Sequence, residues 1–170
     1  VEKDFTDIKG RGACTLTFPE MKRCRIPVCV ATVLARSGPD AASRLGFKRA
    51  DIDYATQQIA YSHCYGSLGY YRLLESQGHL KFIQTRGELV AHWKAWEANP
   101  DGTPLGIILS MEGADPIVSP EYIPLWWESG LRVLSLAHYG PSKYAFGTGT
   151  SGPVTADGLA LLDEMAKTPM

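Results

Sequence analysis

Gly106-Ile107-Ile108-Leu109-Ser110-Met111-Glu112-Gly113 is the stretch on which the fold turns. Its first six residues are almost uniformly apolar, too few for an independent helix and bounded by glycines. They read as a short strand buried on both faces, as strands of parallel sheets are. A carboxylate ends the run. Glu112 leaves that apolar environment only at the last position, and burying its charge is costly without a cation, a basic side chain or a helix terminus beside it.

Downstream, Ser119-Pro120 reads as an N-cap and first helical position of a helix running to about Ser129, which Gly130 terminates. Leu131 to Ala137 then reads as another strand, ending at His138. A glycine- and threonine-rich loop follows, Gly147-Thr148-Gly149-Thr150-Ser151-Gly152, and Thr155 caps a final helix carrying Leu159, Leu162 and Met165. The loop lacks the Gly-Lys-Ser/Thr ending of a phosphate-binding P-loop and does not open a helix directly, so it reads as a flexible active-site loop.

Upstream, Ile26 to Leu34 (IPVCVATVL) is a second buried strand, broken by Ser37-Gly38-Pro39. A helical pattern runs from about Asp51 to Gln77, with Ile52, Ala55, Ile59, Tyr70, Leu73 and Leu74 among its apolar positions and Gly78 as its terminator. Gly66 and Gly69 weaken its middle and allow two shorter helices. His79 to Ile83 reads as a short extended piece. Thr85-Arg86-Gly87-Glu88 has capping-box spacing, and the helix it opens carries Leu89, Trp93 and Trp96 on one face, read as core packing. Asn99-Pro100-Asp101-Gly102 is a turn.

Strands alternating with helices define an α/β protein with a parallel sheet. An open doubly wound sheet and a closed (β/α)8 TIM-type barrel both fit. In either, functional groups collect where strands end at their carboxyl side. Glu112 and His138 hold that place on successive strands. His63, His79 and His92 fall within or beside helices and read as structural or exposed.

Composition sets the limits. The chain has 170 residues, 45% hydrophobic and 21% charged, with formal net charge -1. That is ordinary globular composition with no global field favouring nucleic acid. Lys22, Arg23 and Arg25 read as a solvated face. No stretch approaches a membrane span, and the polar opening Val1 to Lys9 does not read as a signal peptide. Cys14, Cys24, Cys29 and Cys64 form no C-x-x-C pair and no disulfide framework, which reads as reduced, mostly buried thiols in a cytoplasmic protein.

Two segments together resemble the membrane (renal) dipeptidase family of zinc peptidases. They are Ser-Met-Glu-Gly-Ala-Asp-Pro-Ile (110–117) and Trp-Trp-Glu-Ser-Gly-Leu-Arg-Val-Leu-Ser-Leu-Ala-His (126–138). The family's Gly-Leu-Thr-x-x-Gly helix opening is matched by Gly152-Pro153-Val154-Thr155-Ala156-Asp157-Gly158, with one extra residue and Val for Leu. Leu16 to Met21, running into the Ile26 strand, is also similar. The resemblance spans most of the chain. Gly113-Ala114 departs from the usual Gly-Gly.

The resemblance implies a (β/α)8 barrel of the metal-dependent hydrolase type with two zinc ions at its mouth. It implies that Glu112 is the carboxylate bridging both metals, and that His138 binds substrate and stabilises the tetrahedral intermediate. The substrate would be a dipeptide or related small amide, attacked by a metal-bridging hydroxide. Residues 1–170 would then be a single partial barrel domain. It would lack the first strand, whose His-x-Asp pair would precede Val1, and the C-terminal strands with two more ligand histidines. A full barrel takes on the order of 250 residues. Alone, the segment would be inactive. A homo-oligomer is compatible with these features, as are secreted or anchored forms, which the family includes. The competing reading is a non-catalytic barrel or binding protein that has lost its metal site.

Overall fold

The computed structural model describes residues 17–38 and 53–169. Cys14, Leu16, Pro39, Asp51 and Ile52, which entered the readings above, lie outside the described residues, as do Val1 to Lys9. In chain order the elements are α1 (Phe18–Arg23), β1 (Val28–Val33), β2 (Arg36–Ser37), β3 (Asp53–Tyr54), α2 (Gln57–Ser76), β4 (Leu80–Phe82) and α3 (Arg86–Ala98). Then come β5 (Leu105–Glu112), a 3-10 turn (Pro120–Tyr122), α4 (Ile123–Glu128), β6 (Leu131–Ser135) and α5 (Ala156–Ala166).

β5 is the hub of a four-stranded parallel sheet. β1 runs beside it from Val28↔Gly106 to Val33↔Met111. β4 pairs with Leu105–Ile107 and β6 with Leu109–Glu112. Both overlap the span held by β1, so both must occupy the other edge of β5, β4 at its amino end and β6 at its carboxyl end. The long strands β1, β5 and β6 thus lie side by side in chain order. A second, two-stranded parallel sheet pairs Arg36 with Asp53 and Ser37 with Tyr54.

Alternation along β5 assigns its two faces. Leu105, Ile107, Leu109 and Met111 are each at most 1% exposed and join one core cluster with Val33, Leu131, Trp126 and Leu161. α2 contributes Ala60, Cys64, Leu68 and Leu74 to that cluster. Tyr61 and Tyr65 of α2 close on the Trp126 ring at 5.7 and 4.5 Å between centroids. The opposite face carries Ile108, Ser110 and Glu112, flanked in register by Val30 and Thr32 of β1 and by Val133 and Ser135 of β6. There Val30 is 59% and Val133 47% exposed. One face of the sheet is packed, and the face bearing Glu112 is open at its flanks, on Val30 and Val133.

Local signals behaved largely as their chemistry dictates. Thr85 accepts from Glu88 N at 3.1 Å while the Glu88 carboxylate accepts from Thr85 N, completing the capping box. Gly78, at φ +77, ends α2 with paired hydrogen bonds, Gly78 N to Glu75 O and His79 N to Leu74 O. α2 is one continuous helix through Gly66 and Gly69, not two.

Other expectations are corrected. Asp53 and Tyr54 are a strand beside Arg36 and Ser37, and the helix starts only at Gln57, because the Thr56 hydroxyl caps Ile59 N. The buried stripe of α2 is Ala60, Cys64, Leu68 and the expected Leu74, whereas Ile59, Tyr70 and Leu73 are exposed. Of the tryptophan pair only Trp96 is core; Trp93 is 48% exposed and donates its indole N–H to Glu97. Ser119 makes no side-chain cap, and Pro120 opens a 3-10 turn before α4. Cys24 is exposed and Cys29 half-buried, so of the described thiols only Cys64 is buried, and burial pushes it up to about 12.

Candidate active site

β5 delivers Glu112 at the last residue of the strand, opposite Ser135 of β6. Gly113 follows at φ +94, a left-handed conformation that favours glycine. Its amide donates to Ser135 Oγ at 2.9 Å, and Ala114 N reaches Leu136 O. These bonds turn the β5 chain away just where β6 runs out of partner. β6 therefore ends at Ser135, three residues before His138, and not at His138 itself. The histidine belongs to the loop beyond the strand.

That loop nonetheless brings His138 to Glu112. Nδ1 of the imidazole lies 2.9 Å from Glu112 Oε1, with the histidine side chain 22% and the carboxylate 43% exposed. The two residues singled out at strand ends are therefore partners of each other. A basic side chain was among the partners open to Glu112, and His138 fills that role for one carboxylate oxygen. With Nδ1–H donating to the carboxylate, Nε2 is the ring nitrogen that this contact leaves unused.

The glycine-rich loop backs the histidine. Thr148 N donates to His138 O at 2.9 Å, Gly140 N to Thr148 O and Gly147 N to Gly140 O. A Cβ on Gly147 would stand 2.1 Å from His138 O, so only glycine permits this approach. The His138 ring meets Tyr139 edge-on, with 4.5 Å between centroids.

Asp115 is the polar residue that pattern reading passed over. It is 3% exposed, accepting from Ser37 N at 2.9 Å on one oxygen and from Ser142 Oγ at 2.6 Å on the other. Burial pushes its carboxyl above the usual range, opposed by hydrogen bonds from Ser142, Ser37 and Lys143 and by the charge of Arg36. The signal was an acidic residue set between Ala114 and Pro116, just past a buried strand. Nearby, Arg36 pairs with Asp53 and donates to Tyr139 O at 3.2 Å.

The remaining histidines stay out of this constellation. His92 is buried on α3 with Nε2 2.9 Å from Pro27 O. His63 Nδ1 lies 2.7 Å from Tyr54 OH, and His79 sits beside the Phe18 ring. A separate open cleft of about 530 Å³ is lined by Thr32, His63, Ser67, Tyr70 and Tyr71. Among the described residues no three His, Cys, Asp or Glu side chains converge as a metal site, and no helix is long and apolar enough to cross a membrane.

No protein-family model and no curated protein matches the sequence. Among solved structures the chain is similar to dipeptidase AC, a metallopeptidase of family M19, at 20% identity with a TM-score of 0.65. The match covers 98% of this chain and 48% of that one, so the chain spans about half the length of the structure it resembles. The likeness is one of fold, a distant structural link.

Proposed function

We propose that the chain is part of a (β/α)8 metallopeptidase-like barrel and that the whole protein hydrolyses dipeptides or related small amides. The observation that carries this reading is the contact between Glu112 and His138 at the carboxyl end of neighbouring parallel strands, where such barrels place their chemistry. Three further features support it. β5 is flanked in parallel by β1 from before it in the chain and by β6 directly after it, as a barrel strand is flanked. The face bearing Glu112 exposes Val30 and Val133, which a closed barrel would bury. The fold is similar to that of a dipeptidase.

Zinc in catalytic sites takes three protein ligands and leaves one position open. Glu112 supplies one such ligand, so the described residues do not by themselves fit the metal. In this reading the other ligands come from outside them, and Glu112 is the contribution of this chain. What the chain does on its own is define an imidazole. Glu112 holds Nδ1, orienting the ring so that Nε2, when protonated, can donate to a carbonyl oxygen gaining negative charge.

A second reading, a metal-free binding protein on the same scaffold, is favoured by the fact that His138 already satisfies one oxygen of Glu112. Metal analysis of the full-length protein separates the two. The first reading expects about two zinc ions per chain, as in dinuclear hydrolases. Glu112→Gln should then lose most of the zinc and the dipeptide hydrolysis; unchanged metal content and activity in that variant would remove Glu112 from the site.

A further inference from the structure

We propose that Asp115 is a positioning residue, a buried pin that fixes the loop carrying His138 by binding three chain segments together. The kinetic part of this proposal rests on the dipeptidase reading; the structural part does not.

The pin is built from acceptors facing donors. One carboxylate oxygen takes Ser37 N, from the segment that follows β1. The other takes Ser142 Oγ at 2.6 Å and Lys143 N at 3.4 Å, from the segment that follows His138. The backbone oxygen of Asp115 itself accepts from the Gln57 carboxamide of α2 at 3.1 Å, and the same carboxamide reaches Ile117 O. A carboxylate accepts on both oxygens at once. An asparagine would turn an N–H₂ toward one of these donors.

What this holds is the short span from Tyr139 to Ser142. At its start Arg36 donates to Tyr139 O, and at its end Asp115 holds Ser142. His138 is the residue before that span, and its carbonyl is taken by Thr148 N. A shift of the His138 main chain, and with it of the imidazole, therefore moves the Tyr139–Ser142 span against two anchors. Keeping a carboxylate at 3% exposure is costly. Nothing in the packing of β5 requires it, since Asp115 lies beyond the strand's end.

The test uses the full-length protein, its Asp115→Ala and His138→Ala variants, and the double variant. With L-Ala-L-Ala as substrate, Asp115→Ala should lower kcat about 10- to 100-fold, the scale of an ångström-sized misplacement, with KM and zinc content little changed. In the His138→Ala background the same substitution should have no further effect. Equal losses in both backgrounds would overturn the proposal, because Asp115 would then act by another route.

Hydrogen exchange supplies the arm that needs no activity. Asp115→Ala should speed exchange of the amides of Gly140, Gly147 and Thr148 while leaving β5 and α2 unchanged. Uniform acceleration, or none, would equally overturn it. Should the wild type bind no zinc and cleave no dipeptide, the dipeptidase reading falls and the exchange arm alone decides the pin. Ser142→Ala, which keeps the carboxylate and removes one donor, carries both arms at smaller amplitude if Asp115→Ala does not fold.

Discussion

Glu112 Oε1 and His138 Nδ1 stand 2.9 Å apart although one ends β5 and the other lies in the loop beyond β6, across a helical crossover. The contact depends on how the chain leaves each strand. β5 bends off at Gly113, and the chain after β6 runs on past Ser135 to fold back. Either residue could sit at a strand end without meeting the other.

His138→Ala removes the imidazole and leaves the Glu112 carboxylate. In the full-length protein the expected result is retained zinc with turnover lowered about 100-fold, the usual cost of losing one donor to a developing oxyanion. Metal analysis and steady-state kinetics on the same preparation check it. Loss of zinc would make His138 a ligand instead.

Two glycines should respond in opposite directions. Gly147→Ala drives a methyl group against His138 O and Gly140 O, both backbone atoms that cannot swing aside. It should destabilise by about 1–3 kcal/mol and move His138. Gly66 is exposed in mid-helix with nothing within 4 Å of the new atom, so Gly66→Ala should stabilise by about 0.5–1 kcal/mol. Chemical denaturation of the two variants against wild type measures both.

The pH dependence of stability should carry the mark of Asp115. Its folded carboxyl titrates above the ordinary aspartate range, chiefly through burial. The folded state therefore holds that proton more tightly than the unfolded chain. The resulting contribution to stability is complete below the unfolded value and is lost as pH rises through the raised folded one. Wild type should thus lose stability relative to Asp115→Asn as pH increases from about 4. Denaturation midpoints of both proteins between pH 3.5 and 7, with buffers spaced by about half a unit, test this. A gap that widens in favour of wild type would contradict the direction.

Thr85→Ala should cost about 1 kcal/mol, because it leaves Glu88 N without its cap. Glu88→Ala should cost a similar amount by freeing the amides of Gln84 and Thr85. The double variant should cost less than the sum, since each removes half of one reciprocal pair.

Much was legible in the residues alone. The strands β1 and β5, the capping box at Thr85, the stop at Gly78 and the cap at Thr155 are decided by neighbours one to five positions away, and all occur, although β5 is the buried one and β1 is fully buried only at Val33. The parallel sheet follows from strands alternating with helices. Glu112 and His138 stood out for the same local reason, a polar group ending an apolar run.

Tertiary structure decided the rest, because it depends on which segments meet. No local pattern says that Asp53 and Tyr54 leave the helix to pair beside β2, or that Trp93 faces water while Trp96 does not. None says that β6 stops at Ser135 because its partner strand has turned away. Asp115 was illegible as a pin, since Ser37 and Ser142 reach it from distant parts of the chain. By itself the sequence determined that a carboxylate and an imidazole would follow two apolar strands. Only the packing of those strands determined that each would be the other's partner, since a hydrogen bond is set by distance in space, which separation along a chain does not specify.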